Sequence, residues 1–165
     1  MTAPAWGRWL AAGRLLPLVA LAALAAVAAA LVSQHRFDMQ PCAWCVLQRV
    51  VFLALAAVAL VAWAARAPLA RRLLAALLLA LAGAGLAAAA WQHFVAAEST
   101  SCQLTLADRI VNGLGLAEAW PEVFVAYASC AEAKVSLLGL PYEAWSAALF
   151  VLLGAAAAQV LRRPA

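Results

Sequence analysis

The chain has 165 residues, of which 69% are hydrophobic and only 11% charged, with a formal net charge of +4. Soluble domains run about half apolar and about a quarter charged, so this composition excludes an ordinary water-soluble core. No basic patch interleaved with aromatics accompanies the positive charge, which argues against a nucleic-acid partner.

Four stretches reach or approach the roughly 17 to 25 residues that a helix needs to cross a bilayer: residues 15–32, 46–65, 73–94 and 145–161. The first follows Arg8 and Arg14 and has the flanks of a signal peptide. At about 18 residues it exceeds the apolar region of such a peptide, usually about 7 to 15, so a retained first helix is expected.

A short connection, residues 33–45, leads to the second span and ends in Cys42-Ala43-Trp44-Cys45. A Cys-X-X-Cys pair ahead of a helix sits near unsatisfied backbone N–H groups and the positive end of the helix dipole. Both favour thiolate, the reactive form. The competing readings are an inert structural disulfide or a metal knuckle. No second Cys-X-X-Cys and no His pair supports a metal, and Val46 rather than His follows Cys45, which argues against a c-type haem. Arg49 lies four residues beyond Cys45, on the same helical face and about 6 Å deeper. A cation there costs up to about 2.5 to 3.5 kcal/mol at mid-bilayer, so it either snorkels to water or meets negative charge on a thiolate or a reduced quinone oxygen. Gln48 precedes it and either packs against another helix or joins the same site.

Arg66, Arg71 and Arg72 separate the second and third spans. The third ends at Gln92 and His93, and a lone His at an interface is either a hydrogen-bonded surface residue or part of a site. The long connection after it, residues 95–144, holds Cys102 and Cys130. Between them Leu104, Ile110, Val111 and Leu114 can share one helical face and Thr105, Asp108, Arg109 and Asn112 the other, before Gly113 and Gly115 end the pattern. A short helix lying on the membrane surface fits that pattern. If Cys102 and Cys130 bond, the crosslink stabilises the loop by roughly 3.5 kcal/mol; a second role is exchange with soluble partners. Gly139 and Pro141 mark the turn into the last span.

Charge orients the spans. The amino terminus, the 66–72 connection and the carboxyl terminus, with Arg162 and Arg163, carry arginines and no acid, whereas Asp38, Glu98, Asp108, Glu118, Glu122, Glu132 and Glu143 all fall in the other two connections. The arginine-rich segments should be cytoplasmic, which puts every cysteine on the opposite side, where disulfides persist. Trp44, Trp91 and Trp145 mark outer span ends and Trp63 an inner one.

The expected fold is therefore all-α: a membrane four-helix bundle forming a single domain over residues 1–165, both termini cytoplasmic, with a long periplasmic loop containing a short surface helix. The chain resembles the disulfide bond formation protein B (DsbB) family of bacterial inner-membrane thiol:quinone oxidoreductases. The resemblance rests on Pro41-Cys42-Ala43-Trp44-Cys45-Val46-Leu47-Gln48-Arg49, on Trp120-Pro121-Glu122-Val123-Phe124 leading to Ser129-Cys130-Ala131-Glu132, and on Leu138-Gly139-Leu140-Pro141 with Trp145. It implies two redox pairs, Cys42–Cys45 and Cys102–Cys130. Cys102 matches the position attacked by a periplasmic DsbA-like thioredoxin-fold partner, Cys130 the one that passes electrons to Cys42, and Cys45 the cysteine that contacts the quinone. Arg49 matches the family's quinone-site arginine, and His93 is similar in placement to a histidine near the quinone. Ubiquinone is favoured over menaquinone, though both offer similar ring oxygens. Two other readings remain: a paralogue serving a dedicated partner, and a non-catalytic membrane protein braced by structural disulfides.

Overall fold

The computed structural model describes residues 5–98 and 105–162, with side chains described from residue 13 onward. Three long helices come first, α1 (Ala5–Phe37), α2 (Ala43–Ala64) and α3 (Pro68–Phe94). Short helices α4 (Leu106–Gly113), α5 (Leu116–Ala119) and α6 (Pro121–Phe124) follow, then a hairpin of β1 (Ser136–Leu137) and β2 (Leu140–Pro141), and finally the long helix α7 (Tyr142–Arg162). Segments Gly13–Phe37, Ala43–Ala64, Pro68–Glu98 and Tyr142–Arg162 are each long and apolar enough to cross a membrane. Together they form an all-α membrane four-helix bundle in which α1 packs on α2 and α7, and α3 closes the ring against the same two.

The helices overrun the apolar runs because backbone hydrogen bonding does not depend on side-chain polarity. Helix α1 continues past residue 32 to Phe37, with the Ser33 hydroxyl donating to the Ala29 carbonyl at 2.9 Å and Gln34 buried. Asp38 then adopts a left-handed conformation, φ 52°, and the Met39 N–H returns to the Ser33 carbonyl at 3.3 Å; Asp is one of the few non-glycine residues at ease there. At the other end of the bundle, the Arg71 guanidinium donates to the Ala65 carbonyl at 2.6 Å, satisfying the terminus of α2, and Pro68 opens α3 with its φ already set.

Alanine and glycine let the helices approach closely, which is how helices associate where lipid tails remove the hydrophobic driving force. Ala23, Ala59, Ala75 and Leu78 have no exposed surface. Phe150 of α7 stacks on Phe52 of α2, ring centroids 4.2 Å apart and planes 4° from parallel. The Phe150 ring occupies the space that a side chain at Gly85 of α3 would fill.

All of α4 to α6 and the hairpin lie at the end of the bundle where α2 begins. Thr105 caps α4 with a capping box: its hydroxyl accepts from the Asp108 N–H at 3.2 Å, while the Asp108 carboxylate accepts from the Thr105 N–H at 2.8 Å. The expected apolar face of this helix divides. Val111 is buried and packs with Val46 and Phe124, whereas Ile110, Leu114 and Leu106 are exposed; Leu104 lies outside the described residues. The two-residue hairpin turn places both Leu138, φ 56°, and Gly139, φ 81°, in the left-handed region, the twist that matches antiparallel strands. The Trp145 indole N–H donates to the Leu137 carbonyl at 3.2 Å and fixes the hairpin over the first turn of α7.

Candidate functional site

Three of the four cysteines are described, and they converge at the start of α2. Cys42 is the N-cap residue of α2, with no exposed surface. Cys45 lies one turn on; the two sulfurs are 3.0 Å apart, and both residues are free thiols in this structure. Cys130, also a free thiol, packs against the same cluster and hydrogen-bonds Cys42. Cys102, and with it the Cys102–Cys130 pairing, lies outside the described residues.

Local sequence explains how Cys130 reaches Cys42 from so far along the chain. The Pro41 carbonyl accepts from the N–H groups of Tyr127 at 3.0 Å and Ala128 at 3.3 Å, which ties the later segment to the residue preceding Cys42. Ser129 and Glu132 then form a second capping box. The Glu132 carboxylate accepts from the Ser129 N–H at 2.9 Å, the Ser129 hydroxyl accepts from the Glu132 N–H at 3.3 Å, and the Ala133 N–H closes the turn on the Ser129 carbonyl at 3.0 Å. Cys130 sits within that turn. Hydrogen bonds from the Ser129 backbone and hydroxyl hold the Glu132 carboxyl below its ordinary range, so the box persists as pH falls further than an unpaired glutamate would allow.

The electrostatics divide the sulfurs. Cys42 is pushed far above the ordinary thiol range, first by hydrogen bonding to Cys130, then by Cys45 and by burial. Cys130 is pulled below it, chiefly because Cys42 donates to its sulfur. The helix terminus was expected to favour thiolate in the Cys42/Cys45 pair, but Cys42, a buried thiol that donates hydrogen bonds to neighbouring sulfurs, keeps its proton.

Below Cys45 the polar residues of the spans form two connected sets. Gln92 of α3 donates to the Cys45 sulfur at 3.2 Å, and Gln48 of α2 donates to the Gln92 carbonyl oxygen at 2.8 Å, so Gln48 orients the amide that faces the sulfur. Arg49, 5% exposed, donates through Nη1 to Gln34 of α1 at 2.8 Å and to the Val123 carbonyl at 2.9 Å. Gln34 in turn donates to the Glu122 carbonyl at 3.2 Å. No acid among the described residues forms an ion pair with Arg49. The guanidinium is thus buried and held by neutral acceptors, with its charge uncancelled, and it does not snorkel.

Cys45, Gln48, Arg49 and Gln92 line one wall of a cavity of about 500 Å³ between the helices. Tyr142 and Glu143 complete its polar end, and Ala26, Phe52, Leu149 and Leu152 form an apolar body. His93 does not line this cavity. It lies on a second one, of about 490 Å³, with Lys134 and Glu98 at its edge, and its Nδ1 is 2.8 Å from Glu143 Oε1. Trp44, expected at an interface, is buried beside the cysteines, 6.3 Å from the Trp91 ring.

Sequence reading placed Gln48 and Arg49 in the site but missed Gln34, Gln92, Tyr142 and Glu143 as lining or supporting residues. A polar side chain inside an otherwise apolar span was the available signal for Gln34 and Gln92. Glu143 carried a comparable one, as an acid beside the start of the last span.

Clustered thiols at the mouth of a membrane four-helix bundle, beside a half-polar, half-apolar cavity, define a membrane thiol-redox protein. The chain belongs to the DsbB family: residues 12–160 match the family described as disulfide bond formation protein DsbB. It is 36% identical over 138 residues to a disulfide bond formation protein B of Herminiimonas arsenicoxydans, covering 82% of this chain and 85% of the relative. It is 35% identical over 143 residues to a disulfide bond formation protein B 1 of Pseudomonas syringae pv. syringae, covering 84% and 83%. With a disulfide bond formation protein B of Cupriavidus necator it shares 34% identity over 148 residues, covering 88% and 91%. Membership makes the chain a disulfide-forming oxidoreductase with four membrane-spanning helices.

Proposed function

We propose that the protein is a quinone-dependent oxidase of the bacterial inner membrane that regenerates the disulfide of a periplasmic, DsbA-like thioredoxin-fold protein. The observation that carries this reading is the position of Cys45 and the uncancelled Arg49 cation on the wall of a cavity whose far side is apolar. A quinone has the matching shape, with ring oxygens for the polar end and an isoprenoid tail for the apolar body; ubiquinone is the favoured acceptor. Arg49, Gln48 and Gln92 would hold its ring end beside Cys45, and His93 would act from the adjoining cavity. Bound there, it supplies a two-electron acceptor in contact with the membrane pool.

The chain's own residues perform the exchange. Cys102 takes the partner's sulfur in a mixed disulfide and frees Cys130. The Cys130 thiolate then attacks Cys42 of the Cys42–Cys45 disulfide: the Cys130–Cys42 bond forms, the Cys42–Cys45 bond breaks, and the electron pair goes to Cys45. The Gln92 N–H and the Arg49 cation receive that charge in a site shielded from water. Proximity is already built, since the Pro41 carbonyl holds the Cys130 segment against Cys42.

The test is oxidation of a reduced thioredoxin-fold dithiol protein by the purified full chain with ubiquinone-1. Stoichiometric loss of quinone absorbance and partner thiols is the expected result. Disulfides that resist mild reductant, with no quinone-dependent thiol loss, would leave the protein a structurally braced membrane protein.

A further inference from the structure

We propose that Glu143 and His93 form a proton relay that connects the Cys45 cavity with the outside. The inference rests on the quinone-reducing reading and adds to it the route by which protons reach the acceptor.

Oxidising the Cys42/Cys45 dithiol to a disulfide releases two electrons and two protons, and reducing a quinone to a quinol consumes two of each. Electrons pass at contact, but protons require titratable groups or water. Alanine, leucine and phenylalanine supply about half of the cavity wall, and Glu143 is its one carboxyl among the described residues. Its side chain is 10% exposed. A carboxyl buried that deeply at the membrane end of a helix is costly, and such residues mark ion or proton paths with a nameable partner.

That partner is His93. Glu143 forms part of the wall of both the 500 Å³ cavity and the 490 Å³ one, whereas His93 borders only the second, with a side chain 46% exposed. The 2.8 Å contact between His93 Nδ1 and Glu143 Oε1 bridges the two spaces. A proton on Nδ1 therefore moves one hydrogen bond inward to Oε1. The carboxyl releases it to the acceptor in the first cavity, and His93 refills from solvent in the second. The charged and titratable groups facing this pair are Cys45, Arg49 and Tyr142 across the first cavity and Lys134 and Glu98 around the second. Arg49 lines the same cavity as Glu143 without pairing with it, and Lys134 is already engaged by Glu98 at 2.9 Å.

The experiment uses the purified full chain with ubiquinone-1 and dithiothreitol as probes, comparing wild type, Glu143→Gln, Glu143→Asp and His93→Phe after checking their helicity. Glu143→Gln should lower kcat about 100-fold, leave KM for ubiquinone-1 within about threefold, and flatten the pH dependence of kcat. Glu143→Asp should restore much of the rate. A second readout needs no quinone: the infrared carboxyl band absent from Glu143→Gln should exchange its proton rapidly in heavy water, and about tenfold more slowly in His93→Phe. Wild-type turnover and pH profile in Glu143→Gln, or carboxyl exchange indifferent to His93→Phe, overturns the relay alone. Failure of the wild-type chain to reduce ubiquinone-1 overturns the quinone reading and the relay's purpose with it.

Discussion

At the scale of single residues, Arg49 is a buried cation with no acid partner among the described residues. Replacing Arg49 by alanine removes a buried charge that, among the described residues, donates to the Gln34 and Val123 oxygens. Those acceptors lose about 1 to 3 kcal/mol of satisfaction, a cost offset by no longer burying the charge. The Arg49→Ala protein is expected to insert and fold, with kcat/KM for ubiquinone-1 lower by about 100-fold. Arg49→Lys should fall between, keeping the charge but losing the planar guanidinium whose Nη1 donates to both the Gln34 and Val123 oxygens. Quinone-titrated rates decide it: wild-type values in folded Arg49→Ala would reduce the residue to a packing element. A second prediction follows from the sulfur hydrogen bond. Because Cys42 donates to Cys130, it favours the charged form and depresses the Cys130 midpoint, so alkylation of Cys130 by iodoacetamide in the reduced protein should reach half its maximal rate below pH 9.0. In Cys42→Ala the donor is gone and the midpoint should rise toward the ordinary thiol value. A midpoint that stays in place would assign the depression to something other than Cys42.

At the scale of elements, sequence pattern located each helix but not what its polar residues touch. Hydropathy placed the four spans, and Cys42 was expected just ahead of a helix and is its N-cap. Hydropathy averages over a window, however, so it ended α1 near residue 32 and hid Gln34, a helical residue whose side chain accepts from Arg49 on another helix. The division of the α4 face had the same origin: periodicity groups Ile110 with Val111, while packing against α2 selects Ala107 and Val111, both buried and one turn apart. The hairpin escaped notice because two-residue strands have too few positions to alternate. Glycine composition signalled close packing without naming the contact, and Gly85 supplies it. A methyl group there meets the Phe150 ring, itself stacked on Phe52. Gly85→Ala is therefore expected to destabilise the bundle by about 1 to 3 kcal/mol, read as a lower thermal midpoint by circular dichroism in detergent. Gly83→Ala, where nothing lies near, provides the contrast; equal midpoints for the two variants would contradict the account.

At the scale of the whole molecule, the acid-free arginine clusters and the described thiols lie at opposite ends of the bundle. Arg66, Arg71, Arg72 and Arg162 lie at or beyond the ends of α2, α3 and α7 that face away from the cysteines. The positive-inside rule then predicts that an impermeant maleimide applied to intact cells after mild reduction labels Cys130 from the periplasmic side. Labelling only in inverted vesicles would reverse the assigned orientation. The same segregation explains why the spans and the cysteines at one end of the bundle were legible in the sequence: cysteines, arginines and apolar runs are sparse, strongly patterned signals. The coupling between loop and spans was not readable. It consists of backbone acceptors such as Pro41, Glu122 and Val123, whose carbonyls carry no side-chain signature.

The complete enclosure of Cys42 has a consequence for the cell's economy of reducing power. A sulfur with no exposed surface is closed to glutathione and to an arbitrary protein thiol, and among the described residues its sulfur neighbours are Cys130 and Cys45. In the proposed oxidase the fold would act as electrical insulation around a wire with two terminals. On the proposed oxidase reading, that enclosure would keep stray reductants from short-circuiting into the quinone pool and would leave the choice of electron donor to the loop that carries Cys130.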